Sequence, residues 1–484
     1  MDKLEQFSSR WALLLATMGM AVGAGNIWRF PRLAGQYGGA FLIPWAIFLL
    51  LWSIPLLMVE FSLGKHTRKG PVGAFAAFLG RSHTWMGAFV VICTMAIMFY
   101  YSVVTGWALH YFVAAAGGEL MGANQEQFWL NFTGSGFKPA LYHLVALSGA
   151  AVIIYHGIVK GIERANRILL PALLLLLVIG AVRSLMLPNA LEGLNYLFGF
   201  EQASLLDYRM WLEALSQSAW STGAGWGLVL TYSVYMRERE DVTLNAFITG
   251  FGNNSASLLV AIAIIPAIFS LSASVEEAEA ALQAGNTGLS FIVIPQLFEQ
   301  LPGARWLTSF FFLALFFAAM SSLIAMLELA TRFFMDFGWT RRRALPVVAG
   351  LTAVLGLPSA FSLDVFNNQD WVWGLGLILS GSFFAFAAIR HGVTRFRERF
   401  LVSVYNDLHV GSWFDWVMRF LIPAEAIVLM VWWFYQTWNA DLWWNPLDIY
   451  SLGTCLVQWG LLIAILVVVN GRIYARVSGG RSVS

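Results

Sequence analysis

Gly19-Met20-Ala21-Val22-Gly23-Ala24-Gly25-Asn26-Ile27-Trp28-Arg29-Phe30-Pro31 is the stretch on which the reading of this chain turns. It sits in an apolar run that begins at Trp11. Its three glycines fall within seven residues, so a flexible, poorly helix-forming backbone stands where a membrane helix should be continuous. In hydrocarbon an unwound turn leaves amides and carbonyls without partners, and it is tolerated only where it is buried in protein or lines a cavity. Freed carbonyls and the Asn26 side chain suit a hard monovalent cation, and the amides that open the next half-helix suit an anion such as a carboxylate. Taken alone, the same glycines also suit close packing between helices.

Composition points to the membrane independently. Of 484 residues, 59% are hydrophobic and 12% charged, and the mean hydropathy is +0.69, the balance of a polytopic membrane protein rather than a soluble one. Apolar runs long enough to span a bilayer fall near residues 11–34, 40–63, 86–113, 141–158, 167–187, 211–236, 243–270, 304–335, 344–358, 370–390, 414–437 and 446–471, which makes twelve. Basic residues gather in alternate loops: Lys65, Arg68, Lys69 and Arg81; Lys160, Arg164 and Arg167; Arg237 and Arg239; Arg341 to Arg343; Arg390, Arg395, Arg397 and Arg399. The intervening loops carry few, and one of them is acidic, with Glu276, Glu277 and Glu279. By the positive-inside rule both termini are expected in the cytoplasm, with the chain in the inner (plasma) membrane. The net charge of +2 gives no sign of nucleic-acid binding. Cys93 and Cys455 lie inside apolar spans and read as packing residues, without a disulfide or metal framework.

A second interrupted span follows at Gln217-Ser218-Ala219-Trp220-Ser221-Thr222-Gly223-Ala224-Gly225-Trp226-Gly227. Two broken helices, each first in a group of five spans, are what an inverted five-plus-five repeat produces, with solute and ions at its interface. The expected organisation is one membrane domain, 1–484, with repeats over 1–187 and 211–390 and two more helices in 414–471. No nucleophile or acid–base cluster lies at membrane depth, which argues against an enzyme. Paired broken helices with charged residues beyond them argue against a channel.

The order G-x-A-V-G-x-G-N-x-W-R-F-P resembles the first transmembrane helix of the neurotransmitter:sodium symporter family, the LeuT-fold amino-acid and monoamine transporters. Tyr37-Gly38-Gly39-Ala40-Phe41, the run Gly157 to Arg167 and the run Leu187 to Leu194 are also family-like, so the likeness covers nearly the whole chain. It implies an all-α polytopic protein of the LeuT fold, with twelve transmembrane helices and with helices one and six broken at mid-membrane. It implies a sodium-coupled, chloride-dependent symporter that imports a neutral amino acid by alternating access. A same-fold symporter for betaine, taurine, GABA or another ω-amino acid is the alternative. The expected partners are the amino acid and the lipid bilayer, with no obligatory protein partner evident.

The same resemblance implies roles for individual residues. The first sodium falls to the Ala21 carbonyl, Asn26, Ser221 and Asn253, together with the substrate carboxylate. The second falls to the carbonyls of Gly19, Val22 and Ala318 and the hydroxyls of Ser321 and Ser322, although adjacent serines in a membrane helix also bond back to the preceding turn. Chloride falls to Trp45, Gln217, Ser221, Asn253 and Ser257. Trp45 replaces the family's tyrosine, and no carboxylate stands in Asn253-Asn254-Ser255-Ala256-Ser257 to supply the negative charge instead. The amides of Ala24 and Gly25 and the Tyr101 hydroxyl are expected to hold the substrate carboxylate. Ala21, Gly23, Ile97, Trp220, Ser221, Gly223, Trp226, Ser322 and Met326 shape the rest of the pocket, with Trp220 in place of the usual phenylalanine. Gly23 stands where monoamine carriers have an aspartate, which favours a substrate that brings its own carboxylate. Arg29 is expected to pair with Asp370 across the outer vestibule, with Asp364 a competitor. Lys3, standing in for the arginine of the family's inner latch, is expected to pair with Asp336; solvation of both charges is the alternative.

Overall fold

The computed structural model describes residues 5–199, 202–402, 406–438 and 442–478, and among them there is no strand. Ten helical runs are long and apolar enough to cross a membrane. The first of them, Ala24–Thr67, contains the second half of span one followed by span two. Span six lies outside the ten because its halves, Tyr208–Ser221 and Leu228–Ser233, are short. Counting the two interrupted helices gives twelve spans. Both interruptions fall where they were expected: Arg10–Ala21 ends before Gly23 and Ala24–Tyr37 begins after it, while Thr222 to Gly227 separates the halves of span six.

Spans three (Thr84–Gly117), eight (Ala304–Asp336) and ten (Leu363–His391) are mostly enclosed by protein. Spans five and twelve turn most of their surface outward, and residues such as Leu175, Val182, Leu461 and Val468 stand exposed there. So much outward apolar surface is stable only against lipid. The starts of three spans differ from the hydropathy reading by six residues or more. Span five begins at Ile158 rather than 167, span ten at Leu363 rather than 370, and span twelve at Leu452 rather than 446. In span five the one buried charge of that turn, Glu163, is satisfied: the Ser8 amide of the N-terminal segment donates to its Oε2 at 3.0 Å, and Arg167 bonds it one turn away. Spans ten and twelve start at side-chain caps, Ser362 Oγ accepting from Val365 N–H and Ser451 Oγ from Thr454 N–H. Hydropathy registers neither device.

At the end of the bundle where the described residues start and stop, the segment ahead of span one packs onto the end of span six. Phe7 N–H donates to Tyr235 O at 3.1 Å, and the Phe7 ring stands edge-on to Tyr232 at 6.0 Å. Beside them the buried Glu328 pairs with Arg341 and accepts from the Tyr235 hydroxyl at 2.6 Å, and Glu5 lies 3.6 Å from Arg341. Asp336, the residue expected to pair with Lys3, closes span eight at the same end. Lys3 lies outside the described residues, and Asp336 is already held by Arg332 at 3.2 Å and by the Gly70 amide at 3.1 Å.

Removing one member of a buried ion pair strands the other, at a cost of about 3–5 kcal/mol. Arg341→Met is therefore expected to lower the melting temperature of the purified protein sharply, and adding Glu328→Met to recover most of the loss. An equally unstable double variant would show that the pair is not the source.

Candidate transport site

At the first interruption Val22 closes the preceding helix, its N–H donating to Met18 O at 2.7 Å. Gly23 N–H then has two acceptors, Ala21 O at 2.9 Å and Asn26 Oδ1 at 3.0 Å, so the asparagine caps its own half-helix. Ala24 N–H donates to the Tyr101 hydroxyl at 3.0 Å. The geometry requires glycine at 23: a β-carbon there would stand 2.8 Å from Ser322 Oγ and 3.0 Å from Tyr101 Oη. At Gly25 a β-carbon would meet nothing within 4 Å.

The second interruption is built differently. Gly223, Gly225 and Gly227 all have positive φ, at +73°, +88° and +77°, which L side chains rarely adopt. That alternation is what the G-x-G-x-G spacing encodes. The exposed backbone is satisfied from neighbouring spans. Glu60 of span two, wholly buried, accepts from Gly225 N–H at 2.6 Å and Leu230 N–H at 3.2 Å. Thr94 donates to Trp226 O at 2.7 Å, and Ser380 donates to Gly225 O. The sequence reading passed over Glu60, although an ionisable residue inside the apolar run Pro55 to Leu63 is by default a functional one.

Between the two breaks the four residues expected at the first sodium come together. Asn26 Nδ2 lies 2.8 Å from Asn253 Oδ1, and Asn253 Nδ2 lies 2.9 Å from Ser221 Oγ. With the Asn253 amide turned over, its nitrogen faces Ala21 O at 3.1 Å and Ser221 O at 2.9 Å. Ser257 Oγ joins them, 2.7 Å from Asn26 Nδ2. The cluster is buried and composed of neutral oxygens and amides. Of the remaining chloride candidates, Gln217 is buried with neither amide atom hydrogen-bonded. Trp45 packs against Phe30 with ring centroids 4.4 Å apart and planes tilted by 42°, and its indole nitrogen has no partner. At the residues expected for the second sodium, Ser321 Oγ bonds back to Ala318 O at 3.0 Å, whereas Ser322 Oγ reaches across to Met20 O at 2.9 Å.

A cavity of about 240 Å³ opens beside this cluster. Ala21, Gly23, Gly25, Tyr101, Trp220, Ser221, Gly223, Trp226, Ser322 and Met326 line it. Ile97 and Ala24 do not: Ile97 is wholly buried in the core, and Ala24 faces the Tyr101 hydroxyl with its amide. Trp220 and Trp226 meet edge to face at 5.6 Å, and Gly374 makes room for Trp220, since a β-carbon there would fall 2.3 Å from its ring. The cavity runs away from the terminal end toward Arg29, Arg32, Glu213 and Asp370. The expected Arg29–Asp370 pair is not formed. Both residues line the cavity, but Arg29 Nη2 reaches Ser216 Oγ at 2.8 Å and Glu213 Oε2 at 3.4 Å, and its guanidinium lies 5.8 Å from the Trp220 ring centre. Glu213 stands on the neighbouring half of span six, which satisfies the arginine while the cavity stays open.

The sequence model of the sodium:neurotransmitter symporter family matches residues 4–137 and 138–477. The chain belongs to that family. An uncharacterised sodium-dependent transporter of Methanocaldococcus jannaschii is 30% identical over 453 residues, covering 88% of this chain and 90% of its own. Another, YhdH of Bacillus subtilis, is 29% identical, covering 89% and 98%. The crystal structure of MhsT in complex with L-phenylalanine superposes with a TM-score of 0.77 at 29% identity, over 89% of this chain and 99% of that one. This symporter is therefore a sodium-dependent secondary transporter of many membrane spans, not an enzyme.

The two glycines of the first break separate fold from function in this symporter. Gly25→Ala is expected to leave the melting temperature of the ligand-free protein within the range of a neutral surface change, about 0.5 kcal/mol. Gly23→Ala is expected to lower it by pushing Tyr101 off the Ala24 amide. Equal melting temperatures for the two variants would refute the assignment of Gly23 to close packing.

Proposed function

We propose that the protein imports a neutral α-amino acid with a large apolar side chain, coupled to sodium and to chloride, by alternating access. The observation that supports this most is the shared wall between the neutral oxygen cluster and the cavity: Ala21 and Ser221 belong to both, and Asn26 lines the cavity as well. A sodium held by Ala21 O, Asn26, Ser221 and Asn253 then lies where a solute carboxylate completes its shell. Each raises the affinity of the other by the same factor. The carboxylate is received by the Gly25 amide and by Tyr101, whose hydroxyl accepts from Ala24 N–H and so has its own proton to give. No side chain at position 23 supplies a competing charge.

The side-chain end is apolar and wide. Met20, Trp220, Trp226, Leu228, Met326 and Ile378 line it, and MhsT, similar in fold and sequence, was crystallised with L-phenylalanine. Aromatic and long aliphatic amino acids fit that surface best. The second sodium belongs to Gly19, Val22, Ala318, Ser321 and Ser322. Chloride is assigned to the neighbourhood of Gln217, Trp45, Ser221, Asn253 and Ser257. Two cations beside a zwitterion in low dielectric leave excess positive charge, the cluster contains no carboxylate, and Gln217 and Trp45 each hold a buried donor without a partner. With both termini in the cytoplasm of a plasma-membrane protein, the cavity opens outward and the Glu328–Arg341 network closes the inner side. The repeats 1–187 and 211–390 rock about the paired breaks.

The test is thermal stability of the purified protein against the twenty amino acids, taurine, GABA and betaine, in sodium chloride, sodium gluconate and potassium chloride. An aromatic or long aliphatic L-amino acid at a hundred times its Kd is expected to stabilise by about 2.7 kcal/mol in sodium chloride, less in gluconate, and not at all in potassium. Stabilisation by an ω-amino acid instead, or by any solute regardless of sodium, would overturn this reading.

A further inference from the structure

Asn166 lies on span five, a helix with no part in the site so far. It is wholly buried, and its Nδ2 donates to Ile162 O at 3.0 Å. That bond fixes the amide's orientation, because only the nitrogen can donate to a carbonyl. Oδ1 consequently points the other way, where it is enclosed without a hydrogen-bond partner. Its position is well defined: a β-carbon on Gly19 would stand 2.3 Å from Asn166 Oδ1 and 3.6 Å from Ser321 Cβ. The absence of a side chain at 19 is what admits the oxygen. A buried acceptor left unpaired costs about 1–3 kcal/mol, and nearly all such groups in folded proteins have a partner.

Gly19 and Ser321 are two of the five residues assigned above to the second sodium, and a hard cation takes oxygen ligands, amide carbonyls included. We propose that Asn166 Oδ1 is a further ligand of that sodium, so that the site draws on spans one, five and eight. This rests on the sodium-symport reading. The competing account is local: Oδ1 accepts only a weak Cα–H contact from Gly19, and its role is packing.

The experiment uses the purified full chain without amino acid. Its intrinsic tryptophan fluorescence and melting temperature are titrated with sodium chloride replacing choline chloride, at constant ionic strength and chloride. Asn166→Leu keeps the shape and removes the oxygen, and Ser321→Ala removes an assigned ligand. Asn166→Leu is expected to raise the half-saturating sodium concentration by at least about tenfold, equivalent to about 1.4 kcal/mol, with the melting temperature in choline unchanged. Combining it with Ser321→Ala is expected to shift the curve by less than the product of the single shifts, since both act on one ion. A wild-type sodium curve in Asn166→Leu, or a melting temperature lowered equally in sodium and choline, would overturn the proposal and leave symport standing. Absence of any sodium response in the wild-type chain would overturn both. Should Asn166→Leu not fold, Asn166→Asp decides: a charged oxygen beside the ion is expected to lower the half-saturating sodium concentration, and an unchanged curve rejects the assignment.

Discussion

Hydrocarbon has no water to offer an open peptide group, and the rest of this molecule follows from how two broken helices meet that demand. The span-six break is met mainly by one side chain, Glu60, which accepts two of its amides from a neighbouring helix. Thr94 and Ser380 attend to its carbonyls. The span-one break is met by Asn26 from within and by Tyr101 and Ser322 from outside. Each break is thus tied to helices far from it in sequence, and the polar groups left over face inward.

That arrangement explains why ion and solute sites share residues. A carbonyl, an amide side chain and a hydroxyl drawn from spans one, six and seven form a neutral cluster, and the cavity wall is the other side of the same turns. On the proposed reading, coupling needs no relay between distant sites, because the carboxylate of the solute is itself a ligand of the cation. The two ends of the path differ in their electrostatics. At the terminal end Glu328, Arg341 and Tyr235 form a largely buried network. At the other end Arg29 rests on Glu213 and Ser216, with Asp370 across the cavity.

Much of this was legible in the residues. The glycine clusters marked both breaks, the apolar runs marked the twelve spans, and the order of residues around Gly23, with the runs Gly157 to Arg167 and Leu187 to Leu194, marked the family. Those signals are local, set by backbone preference and by the length of a bilayer crossing, and they survive in one dimension. Side-chain pairings were less legible. Arg29 was matched to Asp370 and in the structure bonds Glu213, and Ile97 was put in the pocket and lies in the core.

By itself, then, the sequence determined that the chain crosses the membrane many times, that two crossings are interrupted, and that the interruptions bear no fixed charge at Gly23. Only the tertiary structure decided which side chains close those interruptions and which charges pair. A glutamate such as Glu60 is chosen by the direction of amides more than 160 residues away, and an arginine takes whichever carboxylate the helix packing brings within reach. Distance and angle between helices have no one-dimensional signature, and hydrogen bonds in a dry interior are decided by both.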